Sequence, residues 1–285
     1  MSTSFNLTDY IKHEFIPKLE KDHGITILLA VESGSRMWGF PSPDSDYDIR
    51  FIYRHRDLRN HFSVSTVRQV IDQKDPNPLV DATGWSLEKA IRLMGTGNGT
   101  LVDWLNSGIV YKSVENAVPL LKMLQAHVLA QQSNRIRFLH HHRSLCSSTY
   151  KLAHDSARDP TKLSAKKFLY SVRSALIVKW GLPVLGSGYS WADPPVTIEA
   201  LRSRVLYHIA QTSLDYADMD GELTSLVGAK SKALEKSATV DVADVHMLTD
   251  VVENVISEVG AIPTIDKTIV YDPMYCTSVL RALIA

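Results

Sequence analysis

Apolar positions along the chain switch between a spacing of four, continuous runs and strict alternation, and these switches divide it into elements. Behind Asn6-Leu7-Thr8-Asp9, the residues Ile11, Phe15 and Leu19 recur at every fourth position and Gly24 follows, which predicts an amphipathic helix with a glycine stop. Residues 25–31 form a short apolar run, β-branched at its start, as expected of a buried strand. Residues 32–44 are dense in Gly, Pro and Ser and read as loop. From 47 to 53, Asp48, Arg50 and Ile52 alternate with Tyr47, Ile49, Phe51 and Tyr53, a strand pattern. Weaker strand candidates occupy 67–71 and 79–82. A helix is expected over 86–94, with Ser86 as its N-cap, and a shorter one over 100–106.

From about residue 114 the pattern becomes helical. Pro119 suits a first helical turn, and the 120s to 150s carry long helix-favouring runs. A strong helix over 164–180 is expected to close at Gly181 and Pro183, with further helices near 196–211, 221–236, 244–258 and 274–284. The expected fold class is therefore α+β. A small mixed β-sheet with flanking helices fills residues 1–112, and an all-helical region fills 113–285.

Composition changes this picture only by exclusion. Of 285 residues, 45% are hydrophobic and 22% charged, enough apolar material for a substantial core. Lys plus Arg, 31, equals Asp plus Glu, 31, so a polyanion must be met by a local basic cluster and not by net charge. Cys146 and Cys276 form no CxxC, which removes zinc-ribbon and thioredoxin-type chemistry and suits a reducing, cytoplasmic setting. The first residues lack a signal-peptide pattern, and no apolar run is long enough to span a membrane.

The most informative stretch is Gly34-Ser35, ten residues, then Asp46-Tyr47-Asp48. Two carboxylates two positions apart on a strand share a face and repel unless a cation lies between them. A hard divalent ion such as Mg²⁺, with Mn²⁺ as a substitute, takes such carboxylates together with phosphate oxygens. Gly34, after the preceding strand, lets the backbone approach a bulky anion, and the Ser35 hydroxyl with nearby amides can hold a triphosphate. Asp81, on the next strand candidate, is the candidate third carboxylate, able to share metal and accept a proton from an attacking hydroxyl. A strand register shifted by one residue would turn it to the other face.

Gly-Ser, ten residues and Asp-x-Asp together resemble the signature of the polymerase-β-type nucleotidyltransferase superfamily. More narrowly, residues 34–40 with 42–53, then 84–90, 101–111 and 166–170 with Arg173, are similar in order to the YcgL-like nucleotidyltransferases, an RNA-repair-associated polymerase-β-like family. The likeness spans roughly residues 25–185. It implies a small mixed-sheet catalytic domain followed by helices, Gly34 and Ser35 on the β- and γ-phosphates of an NTP, and metal at Asp46, Asp48 and Asp81. It also favours an RNA 3′ end as acceptor, with a protein side chain or small molecule left open.

Other residues carry weaker signals. Lys166, Tyr170 and Arg173 fall on one helix face, and the resemblance makes them candidates for binding nucleotide phosphate across a cleft. Arg36 reads equally as a phosphate ligand or as a partner of Asp44 or Asp46, while Trp38 and Phe40 read as loop anchors. His140, His141 and His142 splay around a helix axis and cannot converge on one ion. HExxH fails at Pro17, and no GxSxG elbow occurs. A reading from another class also stands: a catalytically silent nucleotide-binding or partner-binding regulatory module. The sequence assigns no protein partner and no membrane.

Overall fold

A computed structural model describes residues 6–57, 68–188, 190–206, 216–232, 238–258, 260–264 and 272–284. The first apolar stripe forms helix α1 (residues 7–23, with a wider turn over Ile11–Phe15), capped by the Asn6 side chain on the Thr8 amide and stopped by Gly24 at φ 60°. Five strands follow: β1 (Ile25–Ser33), β2 (Tyr47–His55), β3 (Val70–Lys74), β4 (Val80–Ser86) and β5 (Val110–Ser113). They make one sheet in the order β3-β4-β2-β1-β5. Only β2 and β4 run parallel; the remaining pairs are antiparallel.

Alternation assigns each strand residue to one of two cores. Ile27, Ile49, Phe51, Tyr53, Val80 and Ala82 pack under α1, against Ile11, Phe15 and Leu19. The opposite face, with Leu28, Val31 and Ile52, joins a larger core that runs without a break into the helices. That face also carries Asp48, Arg50 and Asp81, so the charged residues look toward the helical part of the molecule.

Between the strands lie α2 (Gly34–Trp38), α3 (Leu87–Met94) and α4 (Gly99–Leu105). Ser86 caps α3 by accepting from the Lys89 amide, and Asn98 caps α4 at the Leu101 amide. The helical part comprises α5 (Ala117–Leu129), α6 (Gln132–Ala157), α7 (Ala165–Val184), α8 (residues 198–206), α9 (Tyr216–Lys232), α10 (His246–Ser257) and α11 (Pro273–Ile284). α7 is the central member, buried along most of its length and contacted by α6, α9 and α10. No helix of the described residues is long and apolar enough to cross a membrane.

Four sequence expectations change. Residues 34–38 are not loop but a one-turn helix, because Gly34 at φ 64° lets the chain turn directly out of β1. β5 was unmarked by any strand signal; Val110 is exposed there and only Tyr111 is buried, so apolar and polar positions do not alternate cleanly. Helix α7 runs through Gly181 and Pro183 to Val184. Gly181 is a contact, not a stop: a Cβ there would lie 2.5 Å from Leu139 and 2.8 Å from Trp191. Pro183 sits in the last turn, where its missing amide removes little helix. Finally, among the described residues the second part is helical except for a two-stranded ribbon, β6 (Lys162–Ser164) with β7 (Thr239–Asp241). Val67 and the expected helix ends at 207–211 and 233–236 lie outside the described residues.

The parallel pair sets a steric condition on Gly84, which lies opposite Phe51. A Cβ at Gly84 would stand 2.0–2.4 Å from the Phe51 ring. Gly84→Ala should therefore force the ring out of its packing and cost about 1–3 kcal/mol by overpacking. Urea unfolding of the purified variant measures it, and an unchanged midpoint would contradict this account of the strand pair.

Candidate active site

In the β2–β4 register Asp48 lies opposite Asp81, and Tyr47 opposite Val80. Register partners on neighbouring parallel strands project from the same face, so the two carboxylates share the face that looks toward the helices. Arg50, two residues on from Asp48, bridges them. Its guanidinium donates to Asp48 Oδ1 at 3.0 Å and to Asp81 Oδ2 at 3.1 Å. Asp46 immediately precedes β2, is exposed, and is close enough to raise the Asp48 pKa.

Burial pushes the Asp48 carboxyl above the ordinary aspartate range, Asp81 and Asp46 push the same way, and Arg50 and Lys166 pull it down. Among the described residues, no three His, Cys, Asp or Glu side chains stand close enough to hold a metal ion as they are. The Arg50 guanidinium occupies the position between the two carboxylates. The donor set is nevertheless all carboxylate oxygen and suits a hard divalent cation.

Gly34 forms the wall of this site. A Cβ on it would lie 2.2 Å from Asp48 Oδ2, and its φ of 64° is unfavourable to any side chain. Both conditions select glycine, and they bring the start of α2 against the carboxylate. Ser35, nearly buried, donates to Ser45 Oγ at 3.2 Å. Arg36 is directed to the chain and not to a carboxylate: it donates to the carbonyls of Ser45 at 2.7 Å and Asp46 at 3.1 Å, and it stacks on Tyr47 at 3.9 Å. It thus fixes the approach to β2.

The three residues expected on one face of α7 separate. Lys166, in the first turn, acts electrostatically on Asp48 and so faces the site. Tyr170 packs edge-on against Trp38 at 4.8 Å and near Phe40 at 5.9 Å, which makes those two aromatics anchors of the α2 turn. Arg173 is not on an open basic stripe. It is 1% exposed, pairs with buried Asp103 at 2.8 Å, donates to the Val196 carbonyl at 2.7 Å, and lies 4.3 Å from the Trp38 ring. The physical reason is position along the axis and not rotation: Arg173 lies on the same face as Lys166 but two turns, about 10 Å, further on, where α7 is buried on nearly every side.

The chain belongs to the RNA repair pathway DNA polymerase beta family, whose model matches residues 10–261. It is also 33% identical over 168 residues to "Uncharacterized protein YcgL" of Bacillus subtilis (strain 168), a match taking in 58% of this chain. The chain spans about 60% of the length of that curated relative.

Arg50, Glu32, Ser42, Ser45 and Lys230 also belong to the site or its surroundings, and no motif in the sequence marks them. Arg50 was visible only as one polar member of an alternating strand. Glu32 sat in a segment read as loop but is a fully buried residue of β1. It accepts from the Asp48 amide at 2.8 Å and from the Tyr111 hydroxyl. Burial pushes the Glu32 carboxyl up to about 6, against those two donors, which favour its charged form. Burial and the Glu32 charge push the Tyr111 phenol far up as well, so it stays a donor.

Between pH 4.5 and about 6 the folded protein holds a proton on Glu32 that the unfolded chain has lost. The buried charge therefore costs nothing below pH 4.5 and its full amount above about pH 6, about 2 kcal/mol. In Glu32→Gln the amide oxygen still accepts from Asp48 and the amide nitrogen donates to the Tyr111 oxygen. Measured by urea unfolding in chelator, the variant should gain on wild type as pH rises from 4.5 to 6.5 and hold that gain above it. A difference independent of pH would contradict the assignment.

Proposed function

We propose that the protein is a divalent-metal-dependent nucleotidyltransferase that moves a nucleoside monophosphate from an NTP to a hydroxyl acceptor, with an RNA 3′ end preferred. The observation that carries the reading is the placement of Asp48 and Asp81 on one face of two parallel strands, against a glycine that admits no side chain. Membership of an RNA repair polymerase-β family supports nucleotidyl transfer in general and favours the RNA end.

In this reading the acceptor oxygen attacks the α-phosphorus, the bond from that phosphorus to the bridging oxygen breaks, and pyrophosphate leaves. Asp81, the more exposed of the two bridged carboxylates, accepts the proton of the attacking hydroxyl. Asp46, Asp48 and Asp81 would hold Mg²⁺ or Mn²⁺, which would supply charge neutralisation for the phosphates and the departing oxygens. Gly34 and Ser35 hold the β- and γ-phosphates, and Lys166 adds positive charge from across the cleft. Tyr170 and Arg36 act by fixing the α2 turn and the entry to β2, and Arg173 by supporting Trp38 from within.

One observation favours the other reading, a silent nucleotide-binding module: Arg50 already neutralises both carboxylates. In the catalytic reading Arg50 would release at least one of them to a divalent ion. Incorporation of α-labelled NTPs into RNA, protein and small-molecule pools separates the two. The wild-type chain should label RNA and release pyrophosphate. Asp48→Asn and Asp81→Asn should each lower the rate by about a hundredfold or more. NTP binding without pyrophosphate release over all three acceptor pools, or full activity in both variants, would overturn the catalytic assignment.

A further inference from the structure

A buried lysine from the far end of the chain reaches the loop behind Ser35. Lys230, near the end of α9, is fully buried, and its Nζ donates to Ser42 Oγ at 2.6 Å and, at longer range, to Ser45 Oγ at 3.5 Å. Ser42 and Ser45 are also buried, with their hydroxyl oxygens 3.0 Å apart. Ser45 Oγ receives the Ser42 amide at 2.9 Å and the Ser35 hydroxyl at 3.2 Å. One lysine thus closes a hydrogen-bonded group of three serines on the turn that leads into the carboxylates.

The valence of a hydroxyl shows what this does. A serine oxygen accepts two hydrogen bonds and donates one. At Ser45 Oγ the Ser42 amide takes one acceptor position, and the Ser35 hydroxyl and the Lys230 ammonium both approach the same oxygen and so compete there. Where the ammonium supplies the bond, the Ser35 proton is released to donate elsewhere. Full burial of an ammonium is unfavourable unless its bonds are made inside, and an apolar side chain of similar length would fill the space without that penalty. Packing alone therefore does not account for a lysine here.

We propose that Lys230 is a positioning residue for Ser35: its ammonium orders the Ser42–Ser45 turn and frees the Ser35 hydroxyl to donate to the terminal phosphates of a nucleoside triphosphate. The proposal rests on the nucleotide reading of the site given above. It makes α9, more than 180 residues along the chain from the turn, part of the substrate grip.

Steady-state incorporation kinetics at saturating acceptor test it. Lys230→Met should raise the KM for NTP about tenfold and leave kcat within about twofold, since the lost interaction is a charge-assisted hydrogen bond acting on binding. Lys230→Arg should recover part of the loss. A merely structural role would reduce the active fraction, lowering kcat and sparing KM. Ser42→Ala cuts the same link from the loop side and should reproduce the KM effect if Lys230→Met does not fold. Unchanged KM in both variants, or a loss confined to kcat, would overturn the proposal. If the wild-type chain transfers nothing, the transfer reading fails by itself. The lysine's role is then read from the Kd of an α,β-methylene triphosphate with Mg²⁺, where the same tenfold weakening is expected and an unchanged Kd would refute it.

Discussion

The parallel pairing of β2 with β4, in the register that sets Asp48 opposite Asp81, is the constraint on which the site depends. It places two like charges on neighbouring strands, about 5 Å apart along the sheet, where their repulsion in a half-buried setting is substantial. The structure answers with Arg50, from the same face of β2, bonded to both. A slip of one residue would turn Asp81 into the α1 core and bring Val80 or Ala82 to the cleft, exchanging a carboxylate for an apolar side chain. Burial of Val80, Ala82 and Gly84 on the opposite face, with Gly84 fitted under Phe51, holds the register against that slip.

Around this pair lie three buried polar groups, each bonded within itself, and the first is also bonded to the Asp48 amide. Glu32 takes the Asp48 amide and is itself held by Tyr111 from the edge strand β5, so the edge strand has a role in the site that its weak patterning hides. Ser35, Ser42 and Ser45 form a second buried polar group, tied to the helical part by Lys230. Arg173 and Asp103 form a third, beneath Trp38. Buried polar groups are tolerated when their bonds are made internally, and a group left half satisfied is unfavourable. The second and third lie where the sheet meets the helices, whereas Glu32 and Tyr111 lie on the α1 side of the sheet. Lys230 is the contact by which a helix so late in the chain reaches the first loop.

Much of the sheet could be read from the sequence because β1, β2 and β4 are buried on at least one face and carry that burial in their patterning. The carboxylates and Gly34 were readable for a different reason: Gly-Ser and Asp-x-Asp at that spacing are chemistry-bearing types in a setting with few bland explanations. What could not be read depends on long-range contact. Arg50 is an ordinary alternating residue until β4 lies beside it. Glu32 reads as loop until β1 is seen to extend to Ser33. Arg173 and Lys230 look like solvated cations on helices, and only tertiary packing shows both to be enclosed. Gly181 and Pro183 mislead in the opposite direction, since their local signal is a stop and their actual setting is a close helix contact near a helix end.

The central proposal is that the Asp48–Asp81 face takes a divalent cation and that Arg50, which bridges the two carboxylates, releases at least one of them when metal and triphosphate bind. A crystal structure of the full chain with Mn²⁺ and an α,β-methylene NTP, with manganese located by anomalous scattering, tests it most directly. Manganese is expected on Asp48 and Asp81, with Arg50 withdrawn from at least one of them and the terminal phosphates within hydrogen-bond distance of Ser35. Manganese absent from those carboxylates, with Arg50 still bridging both and the triphosphate elsewhere, would contradict it.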